Sequence, residues 1–151
     1  MPPPSPALIN HGIQLEGEPA LTVAHHSAGD PVPVNWTFRP PELLEPVTEI
    51  VSVHGSSEAL DTPSPGRGAL AGNTVRDQLD EGLRLGFVGS GDGHDGHPGL
   101  AHLSPAYGFR RGRVGTGGMA AIRTEDLSRE GLLGALRAPR GGCLLYTAPR
   151  P

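Results

Sequence analysis

The stretch Gly86-Phe-Val-Gly-Ser-Gly-Asp-Gly-His-Asp-Gly-His-Pro-Gly99 decides the fold, because it joins a short apolar strand to a glycine-rich loop with chemically active side chains. These side chains are Asp92, His94, Asp95 and His97. Carboxylates and imidazoles ligate divalent transition metals, and glycines let a backbone turn tightly around an ion. Asp-x-His at the carboxyl end of a strand is where α/β barrels place their chemistry. The stretch therefore predicts a strand that ends in part of a metal site.

Three other interpretations of this glycine-rich loop fit less well. Gly91-x-Gly93-x-x-Gly96 matches a dinucleotide-binding fingerprint, but that pattern should open a helix, and here Pro98 follows instead. An EF-hand requires a glutamate at the twelfth position of the loop and flanking helices, which this loop lacks. The motif Gly-x-Ser-x-Gly is absent, so the sequence does not favour a hydrolase with a nucleophile elbow.

Strands and helices are predicted to alternate along the rest of the chain. Runs rich in β-branched and apolar residues predict strands at 20–25, 47–54, 87–89, 118–122 and 143–147. A first helix is predicted over 74–85, capped by Asn73 or Thr74, with Val75, Leu79 and Leu83 on its apolar face. A second helix is predicted to begin at Asp126 or Ser128. This order is typical of an α/β fold built from parallel units.

The first three of these strands end at His25 and His26, at His54, and at Asp92 and His94. Because parallel strands bring their carboxyl ends to one rim, the residues at those ends are predicted to converge. The predicted metal ligands are His25, His26, His54, Asp92 and His94. Imidazole-rich ligation without thiolates suits zinc, manganese or iron better than calcium or magnesium. The alternative, that histidines are merely tolerated in loops, fits any single one of them but fits three strand ends together less well.

Several other side chains leave two interpretations open. Glu49, inside a strand, either points at the metal rim or is an edge-strand charge. Ser56 either binds substrate oxygens or caps and turns the loop after His54. Arg110, in a cluster of arginines, either holds a phosphate or belongs to a solvated basic loop.

Length and composition limit the class of protein. A chain of 151 residues suffices for one domain, although 23 glycines and 17 prolines indicate many loops. Residues 1–19 are predicted to be a disordered proline-rich leader and residues 20–151 the folded domain. The net charge of -4 argues against nucleic-acid binding, and no apolar run is long enough to span a membrane. The single Cys143 excludes an internal disulfide and favours a cytoplasmic location.

Three segments resemble the PHP superfamily, the polymerase and histidinol-phosphatase-like metal-dependent phosphoesterases, in a PHP-like branch of unknown function. They are the His25-His26 pair, the run Glu49-Ile-Val-Ser-Val-His54-Gly-Ser-Ser-Glu58, and the stretch from Leu85 to Gly99. The resemblance runs from about Ala20 to the C-terminus. It implies a distorted β/α barrel with two or three metals at its carboxyl rim.

The resemblance also implies roles for particular residues. His25 or His26, His54, Asp92 and His94 stand where the family's later metal ligands stand, and His54 and Asp92 are the predicted catalytic residues. In such a site the metals ionise a water that attacks a phosphoester, or another small-molecule substrate.

The sequence departs from the family at its beginning. Nothing before His25 supplies the His-x-His motif of the family's first strand, and a closed barrel usually takes roughly 250 residues. We therefore expect the C-terminal half of a PHP-type barrel, whether a truncated gene, a fragment or half of a split protein. The alternative function is an inactive remnant that binds a missing N-terminal half, or itself, through its open barrel edge. A metal-storage or metal-sensing module is a third hypothesis.

Overall fold

The computed structural model describes residues 19–29, 32–38, 44–92, 118–138 and 143–146, the last of these by backbone alone. In chain order its elements are β1 (Val23–Ala24), β2 (Val47–Ser52), β3 (Gly55–Ser56), α1 (Val75–Asp80), β4 (Gly86–Gly89), β5 (Met119–Ile122), α2 (Arg129–Arg137) and β6 (Cys143–Tyr146). The predicted leader lies outside these residues, apart from its last residue.

Strand β2 is the centre of the main sheet. It pairs in parallel with β1 and with β4, and Val47 is in register with both Val23 and Gly86. Val47 and Thr48 are fully buried, as the β-branched run predicts for a central strand. Gly86 permits the close approach of β4, since a Cβ at this position would lie 2.9 Å from a methyl carbon of Val47. The carboxyl ends of three strands therefore lie at one edge, as the sequence predicted.

The strand predicted over 47–54 is shorter than expected. It ends at Ser52, and the chain turns back so that β3 pairs antiparallel with Val51 and Ser52. Gly55 allows this turn because it adopts a φ of 108°, which side chains other than glycine rarely tolerate. His54 thus lies in a tight hairpin rather than at the end of an extended strand.

The last two strands form a separate sheet. Strands β5 and β6 pair antiparallel over four residue pairs, so the expectation of parallel units throughout is wrong for this part of the chain. The N–H of Gly118 donates to the carbonyl of Ser90 at 2.7 Å, which joins the start of β5 to the end of β4. The predicted barrel stays a prediction, since the described residues form these two sheets.

Helix α1 begins where the sequence predicted and ends earlier. Thr74 is its N-cap, but the helix ends at Asp80 instead of Leu85, because Gly82 takes a left-handed φ of 90°. The predicted apolar face is also partly wrong: Val75 is buried, but Leu79 is exposed and Gln78 is buried beside it. The Gln78 amide donates to the carbonyl of Gly72 at 3.0 Å, which satisfies its NH₂ group, while its Oε1 has no hydrogen-bond partner among the described residues.

Helix α2 matches the prediction at its beginning. Ser128 is the N-cap, and its hydroxyl accepts the N–H of Gly131 at 3.0 Å. No helix within the described ranges has the length and apolar character that crossing a bilayer requires.

A buried asparagine ties the loops together next to the site. The side-chain amide of Asn73 donates to the carbonyls of Ser27, at 2.9 Å, and Val34, at 3.0 Å. The backbone carbonyl of Asn73 accepts the indole N–H of Trp36 at 3.2 Å. These bonds fix the segment that follows the His25-His26 pair against the start of helix α1.

Candidate metal centre

Three histidines converge at the carboxyl edge of the main sheet. His25 and His26 follow β1, and His54 lies in the hairpin after β2. Their ring centroids are 4.1 Å apart for His25 and His26, 5.0 Å for His26 and His54, and 5.9 Å for His25 and His54. One ring nitrogen from each histidine lies within 4.8 Å of the other two. Histidines 28 and 29 positions apart in the sequence are thus brought together by the parallel pairing of β1 and β2.

Asp92 places its carboxylate between two of these rings. Its Oδ1 lies 3.3 Å from Nε2 of His25, and its Oδ2 lies 2.6 Å from Nε2 of His54. Asp92 reaches this position because the loop after β4 takes a left-handed turn, with φ of 50° at Asp92 itself. Aspartate tolerates this conformation better than most residues do.

His26 has the features of an imidazole that is ready to accept a metal. Its Nδ1 is buried, and among the residues that the structure describes it has no hydrogen-bond partner. Burial lowers the pKa of His26, and the nearby His25 lowers it further, so the ring is held neutral. A neutral imidazole with a free lone pair is the form that ligates metals.

Glu49 supports the site from the middle of β2. It is 4% exposed, and its Oε2 accepts hydrogen bonds from Nδ1 of His25, at 2.9 Å, and from the hydroxyl of Ser90. Its Oε1 accepts the backbone N–H of His26 at 3.1 Å. Burial acts to raise the pKa of Glu49, but the hydrogen bonds from His25 and Ser90 outweigh it and lower the pKa. The same hydrogen bond raises the pKa of His25, against the opposing effect of burial.

The structure decides between the two interpretations of Glu49 and shows what Ser56 contacts. Glu49 points at the rim and is not an edge-strand charge, because β2 is flanked on both sides. The Ser56 hydroxyl accepts the backbone N–H of Glu58 at 3.1 Å, as expected of a turn-forming serine, and its substrate-binding role stays a prediction. His94 and Arg110 lie outside the described residues. Ser90 was missed, although its place directly after a rim-ending strand was a usable signal.

The donor set fits a divalent transition metal. Three imidazoles and one carboxylate are typical ligands of zinc, manganese and iron. In a tetrahedral site with bonds of about 2.0–2.1 Å, two donor atoms lie about 3.3 Å apart, which matches the separation between His25 Nε2 and Asp92 Oδ1. The 2.6 Å between His54 Nε2 and Asp92 Oδ2 is instead a direct hydrogen-bond distance. The buried Nδ1 of His26 has no hydrogen-bond partner among the described residues, which is consistent with a nitrogen that would bind the ion.

Comparisons with known proteins do not identify the family. No protein-family model, no curated protein and no solved structure matches the chain.

Proposed function

We propose that this chain belongs to a PHP-like metal-dependent hydrolase that acts on a phosphoester. The observation that supports this proposal best is the convergence of three imidazoles and a carboxylate from the ends of three parallel strands. His25, His26, His54 and Asp92 would hold the ion. Zinc, manganese or iron fits these ligands.

The bound ion would supply Lewis-acid activation of a water molecule and of a phosphoryl oxygen. The chain's own residues would fix the positions and protonation states of the side chains that hold the ion. Asp92 holds the rings of His25 and His54 at a common carboxylate, and the lowered pKa of His26 keeps that ring unprotonated. The small fractional exposure of Asp92, 12% for its side chain, keeps competing bulk water away from its oxygens.

Metal content tests the first half of this proposal. The full chain is purified, dialysed against each of Zn²⁺, Mn²⁺ and Fe²⁺, and measured by elemental analysis beside His54→Ala and Asp92→Ala. The control is Asp61→Ala, which removes an exposed carboxylate that pairs with Arg76 at 3.0 Å. We expect the wild type and the control to retain metal, and both site variants to lose it. Equal metal in the wild type and Asp92→Ala would refute the site.

Phosphate binding tests the substrate class. Titration of inorganic phosphate into the zinc-loaded chain should give heat of binding that is absent from the metal-free chain. A phosphoester hydrolase should bind this product through its metal, so equal heats with and without zinc would contradict the phosphoesterase part of the proposal. The metal-content result would then still stand for the site itself.

A further inference from the structure

We propose that Glu49 is a positioning residue that fixes the orientation and tautomer of His25 and joins the His25-His26 pair to the segment that carries Asp92. This inference rests on the proposed metal centre and assigns a role to a residue that ligates nothing itself.

The position of Glu49 in the sheet lets one side chain reach two neighbouring strands. Strand β2 lies between β1 and β4, since Val47 and Thr48 each pair with a residue of both strands. The register then shifts directly after Glu49, where the next pair joins Val51 to Gly89. Glu49 is therefore the last residue of β2 in regular register with β4, at the level where the loops after β1 and β4 leave the sheet.

The contacts of Glu49 divide between those two loops. The imidazole of His25 and the backbone N–H of His26 belong to the loop after β1, and the hydroxyl of Ser90 belongs to the segment after β4. A buried carboxylate without such donors would be strongly unfavourable, so the side chain and the two loops stabilise one another.

The hydrogen bond to His25 sets the chemistry of that ring. An ionised carboxylate only accepts hydrogen bonds, so Nδ1 of His25 carries the hydrogen. The neutral ring then has its lone pair on Nε2, which faces Oδ1 of Asp92 at 3.3 Å. In this neutral form Nε2 and Oδ1 are both acceptors, so either the proposed metal ion or a proton on Nε2 would lie between them. Glu49 thus directs the lone pair of His25 toward the metal, as carboxylates behind metal-bound histidines generally do.

The test compares two glutamate-to-glutamine variants of the full chain. Glu49→Gln retains the size of the side chain but replaces one acceptor oxygen by an NH₂ donor, which cannot accept from the donors around it. Glu45→Gln is the matched control, because Glu45 is also partly buried, precedes the same strand and accepts a hydrogen bond from the Thr22 hydroxyl at 3.0 Å. Zinc affinity is measured by competition with a chromophoric chelator. We expect Glu49→Gln to bind zinc about 10–100-fold more weakly and Glu45→Gln to match the wild type.

A second measurement needs no metal. Long-range ¹H–¹⁵N spectra of the metal-free protein, about two pH units above the ordinary histidine pKa of about 6.5, report which ring nitrogen carries the hydrogen. We expect the His25 signals to show a protonated Nδ1 in the wild type and in Glu45→Gln, and to lose this pattern in Glu49→Gln.

The outcomes separate this inference from the proposed function. If the wild type binds zinc and Glu49→Gln binds it equally well with the same tautomer, the role of Glu49 is refuted and the metal centre stands. If the wild type binds no zinc, the metal centre is refuted, and an unchanged His25 tautomer in Glu49→Gln would refute the positioning role as well.

Ser90→Ala provides a second variant should Glu49→Gln fail to fold. It removes only the link from Glu49 to the segment after β4 and leaves both bonds to the histidine pair. We expect zinc binding weaker than in the wild type, with the His25 tautomer retained. Unchanged zinc affinity would refute the joining of the two loops by Glu49.

Discussion

Replacement of Thr74 should destabilise the protein without altering its metal affinity. Thr74 is 2% exposed, and its hydroxyl accepts the N–H of Asp77 at 3.2 Å. The Asp77 carboxylate in turn accepts the N–H of Thr74 at 3.0 Å, which completes a capping box. The first turn of α1 also holds the chain that follows His54, because the N–H of Val75 donates to the carbonyl of Ser57 at 2.9 Å.

The size of the effect follows from the two groups that Thr74→Ala removes. Loss of an N-cap hydroxyl costs about 1 kcal/mol, and loss of a buried methyl group about 0.8 kcal/mol. The alanine variant should therefore lose about 2 kcal/mol, and Thr74→Ser, which retains the hydroxyl, about 0.8 kcal/mol. For a chain of this length these losses correspond to a decrease in Tm of about 4–8 °C and about 2–3 °C.

Thermal and urea unfolding of the metal-free variants, followed by circular dichroism, measures this difference. Hydrogen bonds from the Thr74 side chain and backbone lower the pKa of Asp77. Its contribution to stability is therefore present above the unfolded pKa of about 3.9 and is lost as the pH falls through the folded value. Thr74→Ala should weaken this acid dependence. Equal stabilities of the serine and alanine variants would show that the hydroxyl contributes nothing and refute the capping argument.

Three further predictions concern charge, metal and activity. Burial raises the pKa of Glu45, and the hydrogen bond from the Thr22 hydroxyl offsets this only in part, so ionisation of Glu45 destabilises the fold as the pH rises. In urea at pH 7, Glu45→Gln should therefore be more stable than the wild type. This difference in stability should disappear below about pH 4, where Glu45 is protonated in both states. Zinc at 100 times its Kd should add about 2.7 kcal/mol to the free energy of unfolding, an increase that EDTA reverses and Asp92→Ala abolishes in a thermal scan. The chain alone should hydrolyse a generic phosphoester only weakly, because this sequence has no His-x-His motif before His25, a motif that the resemblance to the PHP superfamily implies for such a site. Robust hydrolysis that is lost in Asp92→Ala would contradict this expectation.

The sequence predicted best the features that depend on local pattern and on one rule of topology. The β-branched run of β2, the caps of both helices and the strand before Asp92 are all local signals, and the structure contains each of them. The meeting of His25, His26, His54 and Asp92 followed from the rule that parallel strands share a carboxyl edge. The metal itself and the family stay predictions.

The errors arose where tertiary contacts outweigh local pattern. Leu79 lies at helical spacing from Val75, but the helix buries Gln78 instead of Leu79. The side-chain NH₂ of Gln78 donates to the carbonyl of Gly72, a tertiary contact that the local pattern does not specify. The helix was predicted to continue to Leu85, although Gly82 already ends it with a left-handed φ. The hairpin after Ser52 depends on Gly55 passing close to Pro65, where a Cβ would lie 2.8 Å from the Pro65 carbonyl oxygen, and no local signal specifies that contact.

Backbone strain in the described part of the chain is concentrated at the candidate metal centre. The two non-glycine residues with positive φ there are His26, at 32°, and Asp92, at 50°. Left-handed conformations of this kind cost of order 1–3 kcal/mol each and persist only where the surroundings impose them. At His26 that constraint is visible, since its backbone N–H donates to Glu49 at 3.1 Å; near Asp92, Ser90 donates to the same carboxylate. One buried glutamate in the central strand thus accepts hydrogen bonds from both segments that carry the strained residues.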